Sequence, residues 1–159
     1  MIIKDLKAFS EGSKKKMIVT LFTNPCFHSV CLFRMSNWFY RIHLAPIAKI
    51  IWYFNRMWYH VDIDYRAQLA GGLVIKHGLG LVIGHHVRSL GPVKLYQGVT
   101  LGGCGKVRLY EGEKIDQPIL SENVIVYTDA KIFGPVVIGK NNHVRAGSLI
   151  TEDIEDREV

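Results

Sequence analysis

Every sixth residue from Ile63 to Val99 is a branched aliphatic: Ile63, Leu69, Ile75, Leu81, Val87, Val93 and Val99. The count slips by three residues and resumes at Leu120, Val126, Ile132, Ile138, Val144 and Ile150. If Ile, Leu and Val make up about a quarter of an apolar-rich chain, seven such hits in one frame arise by accident on the order of once in ten thousand frames. A helix of period 3.6 loses a six-residue register, and a lone strand alternates at two. The period therefore predicts a hexapeptide β-helix. Each unit supplies a short strand and a bend, three units close a triangular coil, and the aliphatics stack inside it.

Between Val99 and Leu120 the frame is lost, so the chain must leave the coil there. The segment 102–118, GGCGKVRLYEGEKIDQP, is polar and Gly-bearing. Loops ejected from rigid scaffolds commonly carry function, and this one is expected to form a wall of a binding site.

The first sixty residues follow another rule. Asn24 suits a helix N-cap and Pro25 its first turn. From there Phe27, Val30, Cys31, Met35, Trp38, Phe39 and Ile42 recur at helical steps, and Ile47, Ile50, Ile51, Phe54, Met57 and Trp58 do so after Pro46. These stripes are expected to pack as core, with contact at a membrane surface as the other reading. The expected division is a helical N-terminal segment over 1–60 and a β-helix over 61–159 with its extruded loop at 102–118.

Charge divides at the same place. Residues 1–60 carry nine Lys or Arg against Asp5 and Glu11, and residues 61–159 carry eleven against twelve acids. A basic, aromatic first segment is compatible with an anionic membrane face. No basic and aromatic interleaving of a nucleic-acid module appears, so nucleic acid is set aside. Asn24-Pro25 and His28 interrupt the uncharged run from Met17 to Phe33, so neither a transmembrane helix nor a signal peptide is expected. Cys26, Cys31 and Cys104 match neither a disulfide framework nor a zinc site, which fits a cytoplasmic protein. His85, His86 and His143 fall at coil corners without ligand spacing, and no metal is expected.

The stretches VDIDYRAQL, IKHGLGLVIG, VTLGGCGK and IFGPVVIGKNNHVRAGSLIT resemble the left-handed β-helix hexapeptide acyltransferases. The resemblance is to the serine acetyltransferase-like branch, including its short surface-polysaccharide O-acetyltransferases, and it covers roughly Phe27 to Thr151. It implies an α+β fold, in which a short α-helical N-terminal segment precedes a left-handed parallel β-helix, assembled as a homotrimer with sites in the subunit clefts. It also implies acetyl-CoA as cosubstrate, His77 as general base and Asp62 as the carboxylate that orients it. An imidazole near its free pKa is suited to take a hydroxyl proton, and a carboxylate fixes its tautomer. The same resemblance places coenzyme A against Gly102, Gly103, Ala146 and Gly147, with Lys106 meeting a phosphate.

The departures bear on the acceptor. Serine acetyltransferases carry an aspartate before the catalytic histidine, where this chain has Lys76, and an Arg-His-Pro-like stretch where it has Asp116-Gln117-Pro118. A base in place of an acid repels the ammonium of an amino acid, by a few kcal/mol in a partly desolvated site. The expected acceptor is therefore a saccharide hydroxyl held by Lys76, Asp116 and Gln117, at the inner membrane face if residues 1–60 dock there. Serine acetylation and a non-catalytic binding trimer are the alternatives.

Overall fold

The computed structural model describes residues 1–158. Four helices, α1 (Ile2–Phe9), α2 (Lys14–Thr23), α3 (Pro25–Arg41) and α4 (Ala45–Tyr59), precede fifteen short strands. Asn24 caps α3 as its residue type suggests, the side-chain oxygen accepting from Phe27 N–H at 3.0 Å.

The strands wind into a left-handed parallel β-helix of three faces. The first face stacks β1 (Asp62–Ile63), β4 (Val82–Ile83), β7 (Thr100–Gly102), β12 (Lys131–Phe133) and β15 (Leu149–Ile150). The second holds β2 (Gln68–Leu69), β5 (Arg88–Ser89), β10 (Ile119–Leu120) and β13 (Val137–Ile138). The third holds β3 (Val74–Lys76), β6 (Val93–Tyr96), β11 (Val124–Val126) and β14 (His143–Val144). Two further strands, β8 (Arg108–Tyr110) and β9 (Glu113–Ile115), form an antiparallel hairpin inside the extruded loop.

The register differs from the simple count in sixes. Ile83 pairs with Leu101 and Ile132 with Ile150, eighteen residues apart, but Ile63 pairs with Ile83, twenty apart. Two surplus residues therefore sit in the turn 77–80. The stacked inward positions after that turn are Ile83, Ser89, Leu95 and Leu101, rather than Leu81, Val87, Val93 and Val99. The count survived the insertion because the residue two places earlier in each unit also points inward. Leu81, Val87 and Val99 have no exposed surface, and Val93 is 3% exposed. At the loop the true interval is nineteen residues, Leu101 to Leu120, so thirteen beyond one hexad lie outside the coil. Ser89 is the one polar member of the stack, and its hydroxyl accepts from Ala70 N–H at 2.9 Å.

The helices close the start of this coil. Val30 and Phe33 of α3 share one hydrophobic cluster with Val61, Ile63, Leu73 and the rest of the prism, so the core crosses residue 60. The helical stripes do not pack as expected. Met35 and Trp38 of α3, its C-cap residue Ile42, and Ile47, Ile50, Phe54, Met57 and Trp58 of α4 are exposed. The coil offers the helices only one end, which Val30 and Phe33 fill, while Phe27 packs on Phe9 of α1. Helix α4 instead meets α3 through its narrow small-residue side, where Ser36 Oγ donates to the Ala48 carbonyl at 2.7 Å. No helix among the described residues is long and apolar enough to cross a membrane.

Candidate active site

The two surplus residues are what build the His77 turn. His77 has φ +63°, and Gly78 and Gly80 follow at +30° and +71°. A left-handed backbone is uncommon for a non-glycine residue, though Asn, Asp and His tolerate it best. The turn is held from both sides, with Gly80 N–H donating to the His60 carbonyl at 3.1 Å and Gly98 N–H to the Leu79 carbonyl at 3.0 Å. It stands at the edge where the third face passes to the first, beside a cavity of about 560 Å³ walled by Cys26, Trp58, Tyr59, His60 and Leu79. Lys76 lines the same cavity. Burial pushes the Cys26 thiol above its ordinary pKa, so it is a neutral wall rather than a nucleophile.

Asp62 is placed differently from the expectation. Its carboxylate accepts from Trp52 Nε1 at 2.9 Å and pairs with Arg56 at 3.4 Å, and no hydrogen bond joins it to His77. Helix α4 packs beside β1 and brings these two donors to the carboxylate. In this chain Asp62 anchors α4 to the coil.

The His77 edge continues down the prism. Asp129 N–H donates to the Gln97 carbonyl and Gly147 N–H to the Thr128 carbonyl, so Gly98, Asp129 and Gly147 lie below His77 in turn. Glycine suits position 98, since its φ is +67° and an added Cβ would displace the Asp129 carboxylate. Ala146 and Gly147 therefore share an edge with Lys76 and His77. Beside it, on the third face, the Tyr96 and Tyr127 rings lie tilted against each other with centroids 5.2 Å apart, a pair that no spacing in the sequence marks.

The other expected residues occupy the edge between the first and second faces. The chain leaves the coil there after Gly102 and Gly103, and Lys106 lines a groove of about 620 Å³ with Cys104, Arg108 and Phe133. The loop returns through Asp116 and Gln117, which meet His85 and His86 in the turn after β4. His86 Nδ1 lies 2.9 Å from Asp116 Oδ1. Gln117, only 7% exposed, accepts from His86 N–H at 3.1 Å, and its Nε2 lies 3.3 Å from His85 Nδ1. Gly84 leaves the space that the Gln117 carboxamide fills.

Alongside, Arg66 donates to Asp64 from its backbone and guanidinium. Burial alone would raise the Asp64 pKa, but those bonds hold it below the ordinary value. Burial, with the neighbouring His86 and Arg66, depresses the pKa of His85. The unfolded chain thus binds more protons there, so this contribution to stability is present above pH about 6.5 and is lost as pH falls through the lowered value. An NMR titration is expected to place the His85 midpoint below 6.5; a midpoint above it would contradict this packing.

One chain thus carries the expected constellation in two halves. Lys76, His77, Ala146 and Gly147 stand on one edge, and Gly102, Gly103, Lys106, Asp116 and Gln117 on another.

Fold and site together define a left-handed β-helix protein of the hexapeptide-repeat class. No family model matches the chain. Among known proteins it is similar to the serine acetyltransferases of that class. It is 35% identical over 130 residues to a serine acetyltransferase of Synechococcus elongatus, which covers 82% of this chain and 51% of that protein. The serine acetyltransferase of Brucella abortus in complex with coenzyme A superposes with a TM-score of 0.86 at 25% identity, over 98% of this chain and 61% of that one. Soybean serine acetyltransferase complexed with serine gives 0.86 at 26% identity, over 98% and 63%. The chain spans about half the length of the Synechococcus relative and under two thirds of either structure. The surface-polysaccharide branch finds no support among these relatives.

Proposed function

We propose that the protein is an acetyl-CoA-dependent O-acetyltransferase with a saccharide hydroxyl as acceptor. The observation that carries this is His77, held in a left-handed turn beside a cavity of about 560 Å³, in a chain that shares its fold with a coenzyme A-bound relative. His77 takes the acceptor hydroxyl proton as that oxygen bonds to the thioester carbonyl carbon. The carbon–sulfur bond then breaks, and the proton passes from the imidazolium to the departing thiolate. The products are the acetyl ester and free coenzyme A.

The two half-sites give this reading its quaternary form. Residues on different edges of one prism cannot converge, so copies packed edge to edge in a closed trimer would complete three sites. Gly102, Gly103, Lys106, Ala146 and Gly147 would then hold coenzyme A across the cleft.

Lys76 beside His77 supports a neutral or anionic acceptor over a zwitterion. The names of the relatives favour serine, and one assay divides the two readings. Coenzyme A release is expected with oligosaccharide acceptors and not with serine. Turnover of serine at rates matching any sugar would overturn the saccharide assignment.

The helical surface supports action at a membrane face. Among the described residues, eighteen of the twenty-four exposed large apolar side chains fall within the first 58 residues, Trp38, Tyr53, Phe54 and Trp58 included. The same segment carries the basic excess. Such a face suits an interfacial position on anionic lipid. Sedimentation with phosphatidylserine vesicles is expected at low salt and should fall as salt is added; no co-sedimentation at low salt would remove the membrane from the proposal.

A further inference from the structure

The strongest chemistry outside the His77 turn lies at the root of the extruded loop. His85 Nδ1 or Nε2, the matching atoms of His86, and an Asp116 carboxylate oxygen offer three donor atoms within 4.8 Å of one another. The histidines are neighbours in sequence, but Asp116 arrives from thirty residues beyond His86 along the chain. That separation hides the set from any reading of spacing.

We propose that His85, His86 and Asp116 bind a divalent first-row transition ion, with zinc as the ion best suited to the set. Two imidazoles and a carboxylate are donors that zinc accepts, and three protein ligands leave a fourth position for water. The metric demand is small. Ligands about 2.0–2.1 Å from a tetrahedral ion stand roughly 3.3 Å apart. His86 Nδ1 and the Asp116 oxygens already lie 2.9 and 3.0 Å apart. The imidazole rings of His85 and His86, with centroids 3.9 Å apart, need only turn their nitrogens toward the same point.

Two supports make this a built set rather than a chance meeting. Gln117, nearly buried, bonds the backbone of His86 and reaches the ring of His85. Gln117 therefore stands where an outer partner orients metal ligands. Arg66, the neighbouring cation, is turned onto Asp64 by two guanidinium bonds, which offset its repulsion of an ion. A bound ion would pin the returning arm of the loop, and with it Asp116 and Gln117, onto the turn after β4.

The test uses the tag-free full chain after treatment with EDTA, and it reads binding rather than acyl transfer, so it stands apart from the acetyltransferase reading. Cobalt(II) should bind one equivalent with the visible absorption of a tetrahedral site, zinc should displace it, and zinc should raise the melting temperature. His86→Gln and Asp116→Asn should each weaken zinc binding by roughly 10–100-fold or more, and Gln117→Leu should fall in the same range. His143→Gln, at an exposed histidine on another face, should leave binding unchanged. Far-UV circular dichroism of the metal-free variants checks that each is folded. Absence of saturable cobalt or zinc binding, or binding undiminished in folded His86→Gln and Asp116→Asn, would overturn the site.

Discussion

His77→Asn is expected to lower the turnover of coenzyme A release by about 10²–10⁴-fold while leaving the coil intact. Asparagine is the appropriate replacement because it also tolerates the left-handed backbone that His77 adopts at φ +63°. An alanine there would mix lost chemistry with a strained turn. The circular dichroism spectrum and melting temperature of the variant should match the parent. If folded His77→Asn turns over within tenfold of the parent, the imidazole is not the base and the proposed mechanism fails.

The second large effect concerns stability. Arg34→Ala is expected to destabilise the protein by about 3–5 kcal/mol, since removing one partner of a buried pair leaves an uncompensated charge. Asp5 has no exposed surface and Arg34 is 7% exposed. Their contacts join three parts of the molecule. Arg34 Nε and one terminal nitrogen donate to Asp5 at 2.9 and 3.1 Å, and the terminal nitrogens also donate to the Leu69 and Ala70 carbonyls. Asp5 in turn accepts from Gly72 and Leu73 N–H at 2.7 and 2.9 Å. One ion pair therefore fastens α1 to α3 and both to the first layer of the coil. For a chain of this size the loss corresponds to a fall in melting temperature of roughly 6–20 °C. The double variant Asp5→Leu, Arg34→Met should lose less than either single change, because it leaves no orphaned charge. A single variant melting within about 2 °C of the parent would show that the pair does not fasten the cap.

Much of this architecture was legible in the chain. The period of six identified the coil because each unit presents aliphatics to a common interior, and that demand leaves a mark at every turn of the prism. The same redundancy blurred the detail. Two inward positions per unit carried the count across the turn at 77–80, which hid the insertion that makes the turn. The helical stripes misled for another reason. Periodicity reports that one side of a helix is apolar, but not whether anything covers it, and here Trp38 and Trp58 are open to solvent. Asp5 and Arg34 left no local signal, being 29 residues apart and each unremarkable alone. The neighbours of Asp116 and Gln117 depended on where a loop lands after its hairpin, which no spacing encodes. His77 was the reverse case. Its surroundings in sequence, a strand followed by closely spaced glycines, already described the bend in which it stands.

The turn at 77–80 has a bearing on how such proteins diversify. A solenoid wound without interruption is a blank rod, useful as a spacer and indifferent to substrates. Here two surplus residues in one winding form a bend that stands a histidine at the rim of a cavity walled by the helices, while the windings beyond it regain the regular pairing. Under the proposed acetyltransferase reading, two added residues suffice to set a reactive side chain on an otherwise regular rod, a small change for a fold made of tandem units.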